Sequence, residues 1–243
     1  NNEGVISKSR NEALKIAKGN WIALLEADDY FSPEKLEKVK DAILKNSFDV
    51  FLNSEWVSGY DEKFKEIWFY GNNKKKFYLD LIKYGSCLST SASVIKKEFL
   101  EQKSINFNEE KEIRNVADFD FFLNIARAEG KFFFSKKPLG FHLMHLASTT
   151  SQSIDTYFLA LKKLINNHFE LNYIKKEDYN FSLLNLKVIE LISNQNFNFM
   201  KKIINLLEVL IKHPVNFCFI FFRIIKKKLQ TNFFNYFYRL KNK

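Results

Sequence analysis

The densest group of chemically able side chains is Glu26-Ala27-Asp28-Asp29, directly after the apolar run Trp21-Ile22-Ala23-Leu24-Leu25. A short continuous apolar run predicts a strand buried on both faces, as in a parallel sheet. Acids at the carboxyl end of such a strand stand where open α/β sheets place their ligand sites. Asp28 and Asp29 project from the turn and offer oxygen ligands to a hard divalent cation. A cation there can neutralise a diphosphate leaving group. The same residues also fit a solvated loop whose acids favour the start of the next helix. Asp118 heads a second helical stretch and suits a helix cap or first-turn acid. His145 stands alone beside an apolar segment, where a satisfied core histidine and a metal or phosphate contact are both open.

The elements that must position these groups alternate between strand and helix. Residues 9–18 read as a helix with Ala13, Leu14, Ile16 and Ala17 inward and Gly19 as its stop. After the acidic turn, Ser32-Pro33 predicts a helix start, with Leu36, Val39 and Ile43 as the buried face. Strands are predicted at 48–57 and 88–95, with a helix at 76–83 between them. A helix follows at 118–129, closed by Gly130, then short extended segments at 131–134 and 139–145. Asp120, two positions beyond Asp118, points elsewhere and reads as a solvated helix acid. Beyond Thr150 only helical periodicity remains, so the expected domains are 1–152 and 153–243. The class is α/β, with a mostly parallel sheet followed by an all-helical extension.

Several fixed points resemble the family 2 glycosyltransferases over Asn2 to about Gln152. They are Asn2-Glu3-Gly4-Val5, Ser9-Arg10-Asn11-Glu12-Ala13-Leu14, Ala17-Lys18-Gly19, Ile22-Ala23-Leu24-Leu25 and Glu26-Ala27-Asp28-Asp29. The resemblance implies a GT-A fold, a nucleotide-sugar donor and a glycan or lipid-linked acceptor, with Mn or Mg as cofactor. The acidic turn looks like the family's DxD motif, with Glu26 in place of the first Asp. That maps metal binding onto Asp28, with Asp29 as second candidate, and donor binding onto Arg10, Asn11, Glu26 and Asp28. Asn115-Val116-Ala117-Asp118 resembles the "ED" helix start, with Ala117 where Glu is usual. It implies that Asp118 is the base: inverting transfer is one displacement, so a carboxylate must take the acceptor's proton. Pro138-Leu139 with His145 and Ser148-Thr149-Thr150 resembles the closing segment, which makes His145 a metal or phosphate ligand and puts Leu143 where Arg is usual. Ser89, Thr90 and Ser91 resemble the strand that lines the acceptor side.

The family's usual opening strands, which hold the nucleotide base and ribose, are not found before Asn1. The chain therefore reads as an incomplete GT-A domain, expected to be inactive by itself. The parent's expected role is hexosyl or related transfer in cell-surface polysaccharide or lipooligosaccharide synthesis. The alternative is a truncated, non-catalytic remnant serving as a membrane or protein interaction module.

The net charge of +10 is concentrated at one end. Beyond Met200 ten Lys or Arg accompany a single acid, Glu208, which leaves roughly +1 for everything before them. A near-neutral fold argues against nucleic acid as a partner. Residues 203–211 form an apolar helical face, Pro214 restarts the chain, and 215–225 is aromatic and nearly uncharged before Lys226-Lys227-Lys228. This run is shorter than the ~20 residues a spanning helix needs. Apolar and aromatic residues beside lysines predict a helix lying on an anionic membrane surface, or one packed on protein. Cys87 and Cys218, far apart and with no metal spacing, predict a reducing compartment. The expected location is cytoplasmic, peripheral on the inner face of the membrane.

Overall fold

The computed structural model describes residues 6–58, 64–71, 77–85, 88–144, 154–193 and 198–226. The chain divides into two compact units: Asn1–Tyr78 with Ser86–Ser153, and Leu79–Gly85 with Ile154–Lys243.

The first unit is α/β. Its helices are α1 (Ile6–Ile16), α2 (Lys35–Lys45), the short α4 (Lys97–Gln102), and α5 (Ala117–Arg127), which continues a 3-10 turn at Lys111–Val116; α3 (Phe77–Tyr84) runs across the division. Its strands are β1 (Trp21–Ala23), β2 (Tyr30–Phe31), β3 (Val50–Ser58), β4 (Phe64–Trp68), β5 (Ser93–Lys96) and β6 (Phe132–Leu143). The sheet runs β1-β5-β3-β6-β2, with β4 also paired to β3. Among these strands only β3 and β6 pair in parallel, and the other four pairings are antiparallel. The mostly parallel sheet expected from the apolar runs is therefore corrected to a mixed one. An apolar run reports burial on two faces; it does not report strand direction.

The two short segments expected at 131–134 and 139–145 are one long strand, β6. Its register with β3 jumps from Asn53 opposite Ser135 to Ser54 opposite Pro138. The skipped residues form a bulge, which tolerates Pro138 inside the sheet. The strand expected at 88–95 begins only at Ser93, because Ser93 N–H closes a turn on Thr90 O at 2.9 Å. β1 is three residues long and only partly buried.

Helix α2 lies over a core of Val39, Phe48, Phe51, Val94 and Leu139, edged by Trp21, Ala42, Ile43 and Phe133. Its inward face differs from the sequence expectation. Leu36 is 60% exposed, and Lys35 is fully buried in its place. Asp120 is also buried rather than solvated, its Oδ2 accepting from Asn124 Nδ2 at 3.1 Å.

The second unit is helical among its described residues: α6 (Ile154–Glu170), α7 (Lys176–Ser193), α8 (Phe199–Lys212) and a further helix at 214–226. Asn198 caps α8, its side chain accepting from Lys201 N–H at 2.8 Å. Val188, Leu191, Val209, Phe217 and Ile220 form the core, flanked by Leu206, Leu210 and Ile224. Outside that core, Ile204, Leu207 and Ile211 on α8 and Val215, Phe219 and Phe222 on the last helix are exposed. Each of these helices is thus apolar on an inner face and again on an outer one.

Candidate active site

The acidic turn leaves β1 and closes on itself, Asp29 N–H donating to Glu26 O at 3.2 Å. Its three acids have three different environments. Glu26 is half-buried. It accepts from Arg10 Nη2 of α1 and from Thr90 Oγ1 at 2.6 Å, and its own N–H donates to Ser91 Oγ at 3.0 Å. Asp28 is exposed. Asp29 is turned inward, with its side chain 2% exposed. Its Oδ1 accepts from Leu143 N–H at 3.2 Å and lies 3.1 Å from His142 Nδ1. Burial pushes the Asp29 carboxyl up. Hydrogen bonds from His142, Ser91 and Leu143 N–H outweigh it and hold the group below the usual carboxylate range. His142 is raised in turn, chiefly by its bond to Asp29 against the opposing effect of burial.

Asp118 stands in the first turn of α5, where Phe119 N–H donates to its Oδ1 at 2.8 Å. Although it is 92 residues from Glu26 in the chain, both Glu26 and Arg10 act on it electrostatically. Burial raises its carboxyl above the ordinary aspartate range and Glu26 adds to the rise; Phe119 N–H and Arg10 oppose it. A carboxylate whose proton affinity is shifted toward neutrality is better matched to general-base work. Helix α1 thus joins the two acidic segments: Arg10 pairs with Glu26, lies 5.1 Å over the Phe107 ring and bears on Asp118.

The other expected site residues have distinct places. Asn11 is buried, and both its donors are engaged, at 2.8 Å each, by Phe107 O and Glu109 Oε1. Its Oδ1 accepts from Phe107 N–H at 2.8 Å, so Asn11 clamps the 107–109 loop that leads to α5. Thr90 and Ser91 are buried, and Ser89 Oγ accepts from Ala92 N–H at 3.3 Å. The Thr90 and Ser91 hydroxyls are thus both engaged with Glu26. His145 lies outside the described residues, as do Cys87, Lys227 and Lys228.

A metal can be tested against this geometry. Among the described residues, no group of three or more His, Cys, Asp or Glu side chains could hold an ion by itself. Asp29 is occupied by His142 and Leu143. Asp28 remains exposed, and one or two carboxylates suffice where Mg or Mn arrives with substrate phosphates. Asp28 so placed fits a metal shared with a diphosphate.

Sequence reasoning missed Lys35, Glu55, Tyr70 and His142. Glu55, a charge inside the apolar strand β3, was a visible signal, since buried acids are rare unless paired. Lys35 gave none, because its spacing with Val39 fits a helix face only if a lysine is allowed inside.

Residues 1–102 match the family model described as Glycosyl transferase family 2. An uncharacterized glycosyltransferase of Methanocaldococcus jannaschii is 30% identical over 137 residues, covering 51% of this chain and 42% of that protein. The solved structure of residues 1–349 of S. aureus TarS, in complex with UDP-GlcNAc, superimposes with a TM-score of 0.51 at 17% identity. The match covers 88% of this chain and 59% of TarS 1–349, so it speaks for the fold alone. The chain spans less than two thirds of either relative. The similarity to Glycosyl transferase family 2 thus spans residues 1–102, and the mixed sheet that carries it is GT-A-like.

Proposed function

We propose that this chain carries the metal-side and base-side residues of an inverting glycosyltransferase, which moves a sugar from a nucleotide-sugar donor to a glycan or lipid-linked acceptor in surface-polysaccharide synthesis. The observation that carries this reading is that the Arg10–Glu26 pair of the acidic turn bears electrostatically on buried Asp118 at the start of α5. A proton acceptor and a diphosphate-facing carboxylate are what a single displacement at an anomeric carbon needs, one on each side. Asp28, with Mn or Mg, would meet the donor diphosphate, and the ion would neutralise the departing charge. Asp118 would take the acceptor hydroxyl's proton. Arg10 holds Glu26 in place, and Asn11 fixes the loop that precedes α5. The test is release of nucleoside diphosphate from a panel of nucleotide sugars by the intact protein. Asp118→Asn keeps the shape of the group, so nucleotide binding should survive while transfer falls by roughly 10²–10⁴-fold. Full turnover in that variant, or undiminished turnover in EDTA, would overturn the reading.

The second unit supplies the acceptor's setting, an anionic membrane face on the cytoplasmic side. No described helix is long and apolar enough to cross a membrane. The outer stripes of α8 and 214–226, with Lys201, Lys202, Lys212 and Lys226 on the same helices, suit a surface-lying pair of helices. Phe217 is buried in the helical core, so the exposed Val215, Phe219 and Phe222 are the residues this reading assigns to the surface contact.

A further inference from the structure

Around the acidic turn four elements contribute ionisable side chains, three of them buried and His142 partly so. Lys35 comes from α2, Glu55 from β3, His142 from β6 and Asp29 from the turn itself. Lys35 is wholly buried, donates to Ser91 O, and sits 3.9 Å over the Phe31 ring. The carboxylates of Glu55 and Asp29 both act on it. Glu55 is also wholly buried, its Oε2 accepting from Tyr70 OH at 2.5 Å. Ser89 also acts on this carboxylate, but its Oε1 has no partner of ordinary hydrogen-bond geometry among the described residues. A Cβ at Gly140, opposite it on β6, would stand 3.3 Å from that oxygen.

Stability gives little reason for such a group. Replacing a buried ion pair by apolar residues of similar volume is often neutral or stabilising. Position gives a better one. Lys35 holds Ser91 by its carbonyl, and Ser91 Oγ accepts the Glu26 N–H at the front of the turn. At the end of the turn Asp29 is bound to His142 and Leu143, and its charge also acts on Lys35. Asp28 is therefore held from both sides, with its own side chain left exposed.

We infer that Lys35 and Glu55 are positioning residues, which fix the acidic turn so that Asp28 meets a metal–diphosphate. The inference rests on the donor site proposed above. Lys35→Met/Glu55→Gln removes both charges while keeping volume, and Asp28→Asn serves as the reference. In the intact protein, Mn2+ binding in the presence of UDP is read by electron paramagnetic resonance, alongside melting temperature and the donor KM and kcat. The double variant should melt within a few degrees of the parent or above it. Its Mn2+–UDP affinity should fall tenfold or more and its donor KM should rise, with kcat changed less. Tyr70→Phe removes only a hydroxyl from Glu55 and should shift the same affinity in the same direction by a smaller factor. Unchanged Mn2+–UDP affinity in these variants, where Asp28→Asn has lost it, would overturn the positioning role alone. Retained affinity in Asp28→Asn would instead overturn the donor site on which it rests.

Discussion

In the first unit, Lys35, Asp29 and Glu55 lie inside the protein, while Leu36 and Leu44 of α2 face water. In the second unit no Lys, Arg, Asp or Glu is buried among the described residues, and Ile204, Leu207, Ile211, Val215, Phe219 and Phe222 are exposed. Buried charge is costly, and it persists where paired groups must be held in a fixed geometry. Exposed apolar stripes cost little in a folded chain, but they mark a surface that another apolar phase can cover. The difference separates a unit that holds charge inside from one that leaves apolar stripes outside.

The largest effect that could break this comparison is at Asp118. Loss of the roughly 10²–10⁴-fold in transfer on Asp118→Asn should come without loss of stability. The folded-state carboxyl is raised above its unfolded value, so between the two values the folded state holds more protons. Stability contributed by the protonated form is complete below the unfolded value and falls as pH rises through the raised one. At neutral pH the ionised group is a liability, and Asn should raise the melting temperature slightly. For the same reason transfer should fall on its acid side at a higher pH than an ordinary aspartate would give. An inactive variant that also melts lower would make Asp118 a helix cap.

The next effect distinguishes the two faces of the last helix. Ile220 is nearly fully buried among Val188, Leu191, Val209 and Phe217, so Ile220→Ala should cost about 2–4 kcal/mol in denaturant unfolding. Phe222 is 68% exposed, so Phe222→Ser should stay within about 0.5 kcal/mol. Its effect should appear instead in co-sedimentation with anionic liposomes, most clearly when combined with Phe219→Ser. High salt should weaken that binding without abolishing it, because apolar burial is not screened. Equal partitioning of the parent and the double serine variant would make the outer stripe something other than a membrane contact.

The smallest effect concerns the Asp29–His142 pair. Asp29 is lowered and His142 raised, so each is stabilised in its charged form. The Asp29 contribution is present above its unfolded value and lost as pH falls through the lowered one. The His142 contribution is present below its unfolded value and lost as pH rises through the raised one. The pair should therefore stabilise most in mildly acidic solution. His142→Gln should flatten the decline in melting temperature above neutrality, and an unchanged profile would place the titration elsewhere.

Much of this was legible in the residues. Gly19, the apolar run at Trp21 and the acids after it located a strand, a turn and a candidate ligand site, because periodicity and turn chemistry act over a few residues. The helical character of the second unit was legible for the same reason. The pairing of β3 with β6 was not, nor was the bulge that fuses 131–134 and 139–145 into one strand. Those depend on which segments meet, and their register is set by contacts about eighty residues apart. The rotation of α2 that buries Lys35 and exposes Leu36 has the same origin, since a lysine can enter a core only where Glu55, Asp29 and Ser91 O already wait for it. The sequence by itself determined which groups are candidates for binding a diphosphate or accepting a proton. The tertiary structure decided that Asp28 faces solvent, that Asp29 turns inward to His142, and that Arg10 links Glu26 to Asp118, because the burial and charge that set them come from distant segments.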